Sequence, residues 1–383
     1  MENKPTIIID IGTGTIKSGF GGEENPKNIT PTIIGKKRQK GIIMGVKNQQ
    51  DFFIGNEAIS NYGILETTYP IEHNIIINWE LIEKIFDNIF NNNLKINCEE
   101  YNFLLSEAIL NPIKNGEKLV EMMFEKFNVK GLFLSNQPKL TLLSKGKFNG
   151  IVLDSGEGVS QICCFEKGLS LKNTFKRNDI GGRDINNYLR NLLLDKGYNI
   201  NRFDINEIKE NLCYCSNDYI TEEKYFKDIE YELPDGGKIK LGNELIKSTE
   251  ILFNPEIYIV TYKENLGIVD LFKNTISFID NYYKKELYDN IFFTGGNCFI
   301  KGIGERFIKE INNTIDENYK WNININNSND NKYSCWKGGS VLSLLSSFNK
   351  YLINKFEYEE KGVHHCYQLC SKEPDFVYNY NED

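Results

Sequence analysis

Two short stretches of this chain carry the same grammar: an apolar run, an aspartate, Gly-x-Gly, and a return strand. The first is Thr6-Ile-Ile-Ile9 followed by Asp10-Ile-Gly12-Thr13-Gly14-Thr15-Ile-Lys17-Ser18. The second is Gly150-Ile-Val-Leu-Asp154-Ser-Gly156-Glu157-Gly158-Val159-Ser-Gln161, and Asp10 and Asp154 stand 144 residues apart. A strand that ends in a carboxylate and turns on glycines gathers backbone N–H groups around a small concavity, and such concavities hold anions. Lys17 falls on the return strand, where a cation reaches the same anion. A carboxylate cannot bind phosphate itself, so its partner there is a metal ion carried with the phosphate. Taken alone, Asp-x-Gly-x-Gly is most often only a tight turn. Two copies, each at the head of roughly half a chain, predict two related domains facing one another. A nucleoside triphosphate with Mg²⁺ fits between two such loops, the amides on the β- and γ-phosphates and the carboxylates on metal-bound water.

A chain of 383 residues has room for two domains of ordinary size. Its 40% hydrophobic and 26% charged content is that of a globular protein. A net charge of −8 argues against a nucleic-acid surface. Nine cysteines at irregular spacing, with no secretory leader read at Met1-Glu-Asn-Lys4, point to reduced thiols in the cytosol. No apolar run approaches the roughly 18–20 residues that span a bilayer.

Between the hairpins, Lys36-Lys-Arg38-Gln-Lys40 is a basic run that reads as a solvated face. Beside it, Gly41-Ile-Ile-Met-Gly45 is an apolar patch suited to a partner contact. His73, alone after Pro70, reads as a hydrogen-bonded structural residue rather than a ligand. Leu81, Ile82, Ile85, Phe86, Ile89 and Phe90 recur at helical spacing and form a core stripe. Leu104 to Pro112 reads as a strand running into a loop, followed by a helix with Leu119, Val120, Met123, Phe124 and Phe127 inward. Gln137-Pro138 reads as the start of a short connector between the domains. That makes Gln137 either a polar side chain near the phosphates or an ordinary surface glutamine.

Beyond the second hairpin, Gly181-Gly182 enters a helix whose N-terminus permits close approach of a ligand. Ile208 to Tyr214 reads as one face of another helix, and Tyr231 to Gly237 as a turn between strands. Ile291-Phe-Phe-Thr294 is a buried strand ending in Gly295-Gly296-Asn297, a third candidate ligand loop. Lys332 to Gly339 leads into a helix with Val341, Leu342, Leu345 and Phe348. His364, His365, Cys366 and Cys370 are metal-capable types, but without a second ligand pair nearby they do not read as a zinc site.

Taken in order, these motifs resemble actin: Asp10-Ile-Gly-Thr-Gly14, Tyr69-Pro-Ile-Glu-His73, Leu104-Leu-Ser-Glu-Ala108, Val152 to Val159, Gly181-Gly-Arg-Asp184, Ile208 to Tyr214, Tyr231 to Gly236, Thr294-Gly-Gly296 and Lys332 to Trp336. The resemblance implies an α/β, two-domain actin-like ATPase fold: duplicated ribonuclease-H-like domains, each with a small subdomain, and nucleotide in the cleft. The implied outer domain takes residues 1–144 and 332–383, with a 33–69 insertion. The implied inner domain takes 145–331, with a 181–264 insertion. The implied cofactors are ATP or ADP with Mg²⁺ (or Ca²⁺).

Carried over by position, Gly12, Thr13, Gly14, Thr15 and Lys17 match the first phosphate loop, and Gly156, Glu157, Gly158 and Val159 the second. Asp10 and Asp154 match the residues that hold the metal through water, and Gln137 the one that orients the attacking water. Gly182, Lys209, Glu210, Gly295, Gly296, Asn297, Phe299 and Lys332 match the sugar and base pocket. Arg38 to Lys47 matches the loop that inserts into the next filament subunit.

The departures are specific. Gln161 stands where actin has a histidine beside the attacking water, and Glu157 where actin has Asp. Asn297, Phe299 and Ile300 replace Thr, Met and Tyr of the base pocket. The acidic N-terminal cluster is absent, so myosin binding is not carried over. The segment after Phe253-Asn-Pro255 is longer than in actin.

The resulting expectation is an ATP-binding cytoskeletal protein of the cytoplasm with slow hydrolysis at a site of Asp10, Asp154, Gln137 and Gln161. It self-associates into filaments or binds other actins and actin-binding proteins, with no nucleic acid or membrane partner. The alternatives are a non-polymerising actin-related protein acting as a structural subunit, and a sugar kinase or chaperone-type ATPase of the same architecture. No stretch supplies a kinase's substrate-side base, and no length remains for a chaperone's substrate domain.

Overall fold

The protein is described here by a computed structural model covering residues 4–38, 51–258, 266–313 and 329–370. The chain forms two compact units, one of residues 1–148, 167–169 and 333–383, the other of 149–166 and 170–332.

The first unit is built on a six-stranded sheet. The hairpin strands Ile7–Ile11 and Thr15–Phe20 lie beside Asn28–Pro31 on one flank, and the parallel strands Asn102–Glu107 and Gly131–Asn136, then Ile353–Asn354, lie on the other. Side chains alternate across a strand, so Ile7, Ile9 and Ile11 enter one core and Ile8 the opposite one. Both faces are covered, which is why Ile7-Ile-Ile9 is apolar without interruption.

The helix Trp79–Asp87 packs on the first face through Leu81, Ile82, Ile85 and Phe86. Asn78 caps it by accepting from Leu81 N at 3.1 Å. The stripe runs on through Ile89 and Phe90 into a π-helical turn, Asn88–Leu94. The helix Ile113–Glu121 likewise passes into a π turn, Met122–Lys126. On the other face Phe133, Leu140, Trp336, Leu342 and Phe348 share a core with Ile8 and Leu104.

Gln137-Pro138 opens a helix, Gln137–Ser144, rather than a connector. Asn136 accepts from Lys139 N at 2.9 Å, and Pro138 sits in the first turn, where its missing N–H costs nothing. The helix Ser334–Ser343 packs on it, with Gly338 against the Leu140 carbonyl where no side chain fits. That helix ends before Leu345 and Phe348, so of the four residues expected in it only Val341 and Leu342 are helical there, Val341 exposed and Leu342 buried.

The second unit repeats the central arrangement. The hairpin strands Gly150–Ser155 and Ser160–Glu166 have Lys176–Asn178 antiparallel on one flank and Ile291–Thr294 parallel on the other. Ile151, Leu153, Ile162 and Cys164 enter a core with Phe272, Phe293 and Phe307. A separate cluster of Leu189, Leu193, Ile205, Ile208, Leu241 and Leu245 is a small second core inside this unit. It lies among the helices Gly182–Asp195 and Arg202–Leu212 and the hairpin Ile229–Glu232 with Lys238–Leu241. The turn expected at 231–237 is shorter: Tyr231 and Glu232 still pair in the first strand, and residues 233–237 join the two.

Residues 39–47 of the expected filament-contact loop, the apolar patch 41–45 and the tail 372–383 lie outside the described residues. Cys366 and Cys370 are buried in the first unit's core, and the exposed His364 ring meets Glu117. No group of three or more His, Cys, Asp or Glu among the described residues is placed to hold a metal ion directly. No described helix is long and apolar enough to cross a membrane.

Candidate functional site

In the first unit, antiparallel pairing sets Asp10 directly opposite Lys17. Lys17 Nζ donates to Asp10 Oδ2 at 3.1 Å. Parallel pairing aligns Ile9 with Leu105, so the next residue along, Ser106, comes beside Asp10 and donates to Oδ1 at 2.7 Å. The same hydroxyl accepts from Ile11 N at 2.9 Å. Burial pushes the Asp10 carboxyl up. The Lys17 ammonium, with hydrogen bonds from Ser106, Cys335 and Lys17, outweighs burial and holds its pKa below the ordinary aspartate value.

The turn Gly12-Thr13-Gly14 above this pair is braced from outside the hairpin. Thr32 donates its hydroxyl to Gly12 O and its amide to Gly14 O, both at 2.9 Å. Asn74 Oδ1 accepts from Thr13 N at 3.0 Å and from Thr13 Oγ1 at 2.8 Å. Gln137, at the start of its helix, is buried; its Nε2 donates to Ile11 O at 2.9 Å and lies 3.4 Å from Asp10 Oδ1. Asp10, Thr13, Lys17 and Gln137 therefore converge in one unit, with Gly14 and Thr15 completing the turn. A Cβ on Gly12 would come within 2.9 Å of Thr15 O.

The second unit reproduces the register with different chemistry. Asp154 stands directly opposite Gln161, whose Nε2 donates to Asp154 Oδ2 at 2.8 Å. The turn closes through Gly156 N to Val159 O at 2.9 Å. Two amides of the following helix are already spent on this turn. Gly182 N donates to Gly156 O and Arg183 N to Glu157 O, so the helix start braces the loop instead of offering those donors to a ligand. Gly182 is still the residue that allows the close approach, since a Cβ there would lie 2.5 Å from Glu157 Oε2 and 3.2 Å from Lys209 Nζ.

Lys209 is buried, with Nζ 3.4 Å from both Glu157 Oε2 and Gly182 O. Asn297 Nδ2 donates to Ser155 Oγ at 3.0 Å and to Gly156 O at 2.8 Å, tying the third loop to the second hairpin. Gly295 makes that junction possible: it has φ 89°, and any side chain would strike the Ser155 carbonyl.

Three carried-over residues are exposed. Glu210 is exposed and accepts from Asn206 on its own helix, because consecutive helical residues point about 100° apart and Lys209 takes the inward direction. Phe299 is 40% exposed at the end of the turn Gly296–Phe299. Lys332 is exposed in the turn Asn329–Tyr333.

Ser106, Asn74 and Ser155 were not singled out from the sequence. A lone hydroxyl in the run Phe103-Leu-Leu-Ser106 was the available signal for the first, and an asparagine at a turn for the second.

Comparison with known proteins fits this architecture. A sequence model of the actin family, described simply as Actin, matches residues 1–205 and 203–371. The chain belongs to the actin family. An "Actin-like protein" of Neurospora crassa is 35% identical over 373 residues, which cover 94% of this chain and 96% of that protein. Actin-family proteins generally bind ATP or ADP with a divalent cation. The donor set of this actin-family chain suits such a ligand. In the first unit a glycine turn stands beside the Lys17–Asp10 pair, and in the second a glycine turn stands beside Asp154 and Gln161, donor types that fit phosphate and metal-bound water.

Proposed function

We propose that this divergent actin-family protein binds ATP with Mg²⁺ and hydrolyses it slowly, as a self-associating cytoskeletal subunit of the cytoplasm. The observation that carries the reading is the repeated register, Asp10 opposite Lys17 and Asp154 opposite Gln161. Each unit contributes one glycine turn to the phosphates, residues 12–17 and 156–159. Asp10 and Asp154 hold the cation through water. Gln137 orients the attacking water, and Gly182, Lys209, Glu210, Gly295, Gly296, Asn297, Phe299 and Lys332 serve the sugar and base.

Gln161 can donate and accept hydrogen bonds but has no usable pKa. Positioning survives while proton handling weakens, and phosphoryl transfer depends mainly on positioning. Self-association rests on the basic and apolar stretch Arg38 to Lys47, with other actins and actin-binding proteins as partners. A second reading, a structural subunit that does not polymerise, is favoured by the longer segment after Pro255.

The test is purified protein with Mg-ATP. A rise in melting temperature supports nucleotide binding, and its absence overturns it. Pelleting in Mg-ATP and salt supports the filament reading, whereas binding without pelleting moves the assignment to the second.

A further inference from the structure

We propose that Asn74 is a positioning residue that links the first phosphate turn to Gln137 and fixes the sense of the Gln137 amide. The inference rests on the nucleotide-hydrolysis reading above and adds a residue to it.

The two short strands Ile71–Glu72 and Ile75–Ile76 pair as Ile71 with Ile76 and Glu72 with Ile75. His73 and Asn74 alone connect them, at φ 46° and 55°. Positive φ at both central residues is the requirement of a type I′ turn, whose second position is most readily glycine. Asparagine tolerates that backbone and brings a side chain with it.

Each end of that side chain is used. Asn74 Oδ1 accepts from Thr13 N and Oγ1, while Asn74 N donates back to Thr13 Oγ1 at 2.8 Å. Asn74 Nδ2 donates to Gln137 Oε1 at 3.1 Å. Gln137 Nε2, on the other side of the same amide, donates to Ile11 O at 2.9 Å. The amide is thus read from both ends: a donor faces its oxygen and an acceptor faces its nitrogen. Thr13, Asn74 and Gln137 come from three separate segments of the first unit, so a shift in the turn is passed through one side chain to the residue proposed to orient water.

Asn74→Asp tests the link without removing the acceptor that Thr13 uses. An oxygen would then face Gln137 Oε1, and the amide could accommodate it only by flipping and losing its bond to Ile11. Mg-ATP affinity and single-turnover hydrolysis are measured for wild type, Asn74→Asp, Asn74→Gly, Gln137→Ala and the Asn74→Asp/Gln137→Ala double variant, all in one assembly state.

The expected result is hydrolysis slowed about tenfold or more by Asn74→Asp, since small misplacements are costly, with affinity changed less than about threefold. Asn74→Gly suits positive φ and folds in any case; it slows hydrolysis by roughly threefold, because Ile11 still holds one end of the amide. In the Gln137→Ala background, Asn74→Asp adds less than about twofold, as expected for residues acting through one another. Wild-type rates in both Asn74 variants, or an undiminished effect without Gln137, overturn the inference. So does a loss of affinity and rate together in step with melting temperature. A wild type that neither binds nor turns over Mg-ATP overturns the underlying functional reading as well; binding and turnover with indifferent Asn74 variants sink this inference alone.

Discussion

Lys17→Met removes the ammonium 3.1 Å from Asp10 and keeps most of the side chain's apolar stem. The Asp10 side chain is 6% exposed and that of Lys17 17%. Removing one partner of a buried pair typically costs about 3–5 kcal/mol, because the other charge is left uncompensated. Here the lysine is partly wet, and Ser106 still donates to Asp10, so about 2–3 kcal/mol is the expected loss. At roughly 2–4 °C per kcal/mol for a unit of this size, the nucleotide-free protein should melt roughly 4–12 °C lower.

The pH dependence separates this cause from lost packing. In the wild type the Asp10 pKa is lowered, so its contribution is present above the ordinary value of 3.8 and is lost only as pH falls through the folded value below it. In the variant burial acts without the cation, so the carboxyl titrates above its ordinary value. Its penalty is then full near pH 7–8 and is relieved by protonation as pH falls toward 4. The assay is a series of thermal melts of both proteins from pH 8 to pH 4 without nucleotide. The gap in melting temperature should be widest at the alkaline end and shrink toward the acid end. A gap independent of pH, or none, would refute the assignment of Asp10 as an ionised partner held by Lys17.

Asp154→Ala should abolish most of the metal-dependent stabilisation by ATP, which for a ligand at a hundred times its Kd is worth about 2.7 kcal/mol; an unchanged Mg-ATP shift in the melting temperature counts against a metal role. Gln161→His should raise the single-turnover rate, by no more than about a hundredfold, without tightening ATP binding; a wild-type rate already equal to the variant's in the same assembly state would sink that account. Glu107→Gln should stabilise the protein near neutral pH and leave it unchanged near pH 4. Burial raises the Glu107 carboxyl above its ordinary value despite Asn111 and Tyr367, so the folded state binds more protons and its stability falls as pH rises through that window. Melting curves that do not diverge with pH would remove Glu107 from this role.

The central frame was legible because it is local. A β-branched run, an aspartate and a glycine turn fix a hairpin within about fifteen residues, and each hairpin forms at its expected place. What escaped the sequence depends on register between distant segments. Ser106 reaches Asp10 only because Ile9 pairs with Leu105 in parallel, a relation that spacing along the chain does not encode. The helix at Gln137 had its signals, Asn136 as cap and Pro138 in the first turn, yet its apolar residues run all round and leave no stripe to read. Lys209 and Glu210 are adjacent in sequence but differently placed. A family pattern carries both across, but helical geometry turns only one of them toward Gly182 and Glu157.

The two hairpins share a register but not a charge balance. Opposite Asp10 stands an ammonium, so that pair is neutral and already placed before a ligand arrives. Opposite Asp154 stands the Gln161 amide, which satisfies a carboxylate oxygen without cancelling its charge. The first turn thus carries its own counter-charge across the hairpin, whereas an amide faces the carboxylate of the second. This difference follows from one position in each hairpin, seven residues after the aspartate. Under the proposed function, Lys17 is the group suited to phosphate, and Asp154, like Asp10, is suited to metal-bound water. Gln161 occupies the cross-strand place opposite Asp154 and donates to its carboxylate. An amide there keeps the carboxylate oriented and supplies no titrating base, so on the proposed function Gln161→His is expected to change hydrolysis and leave nucleotide binding alone.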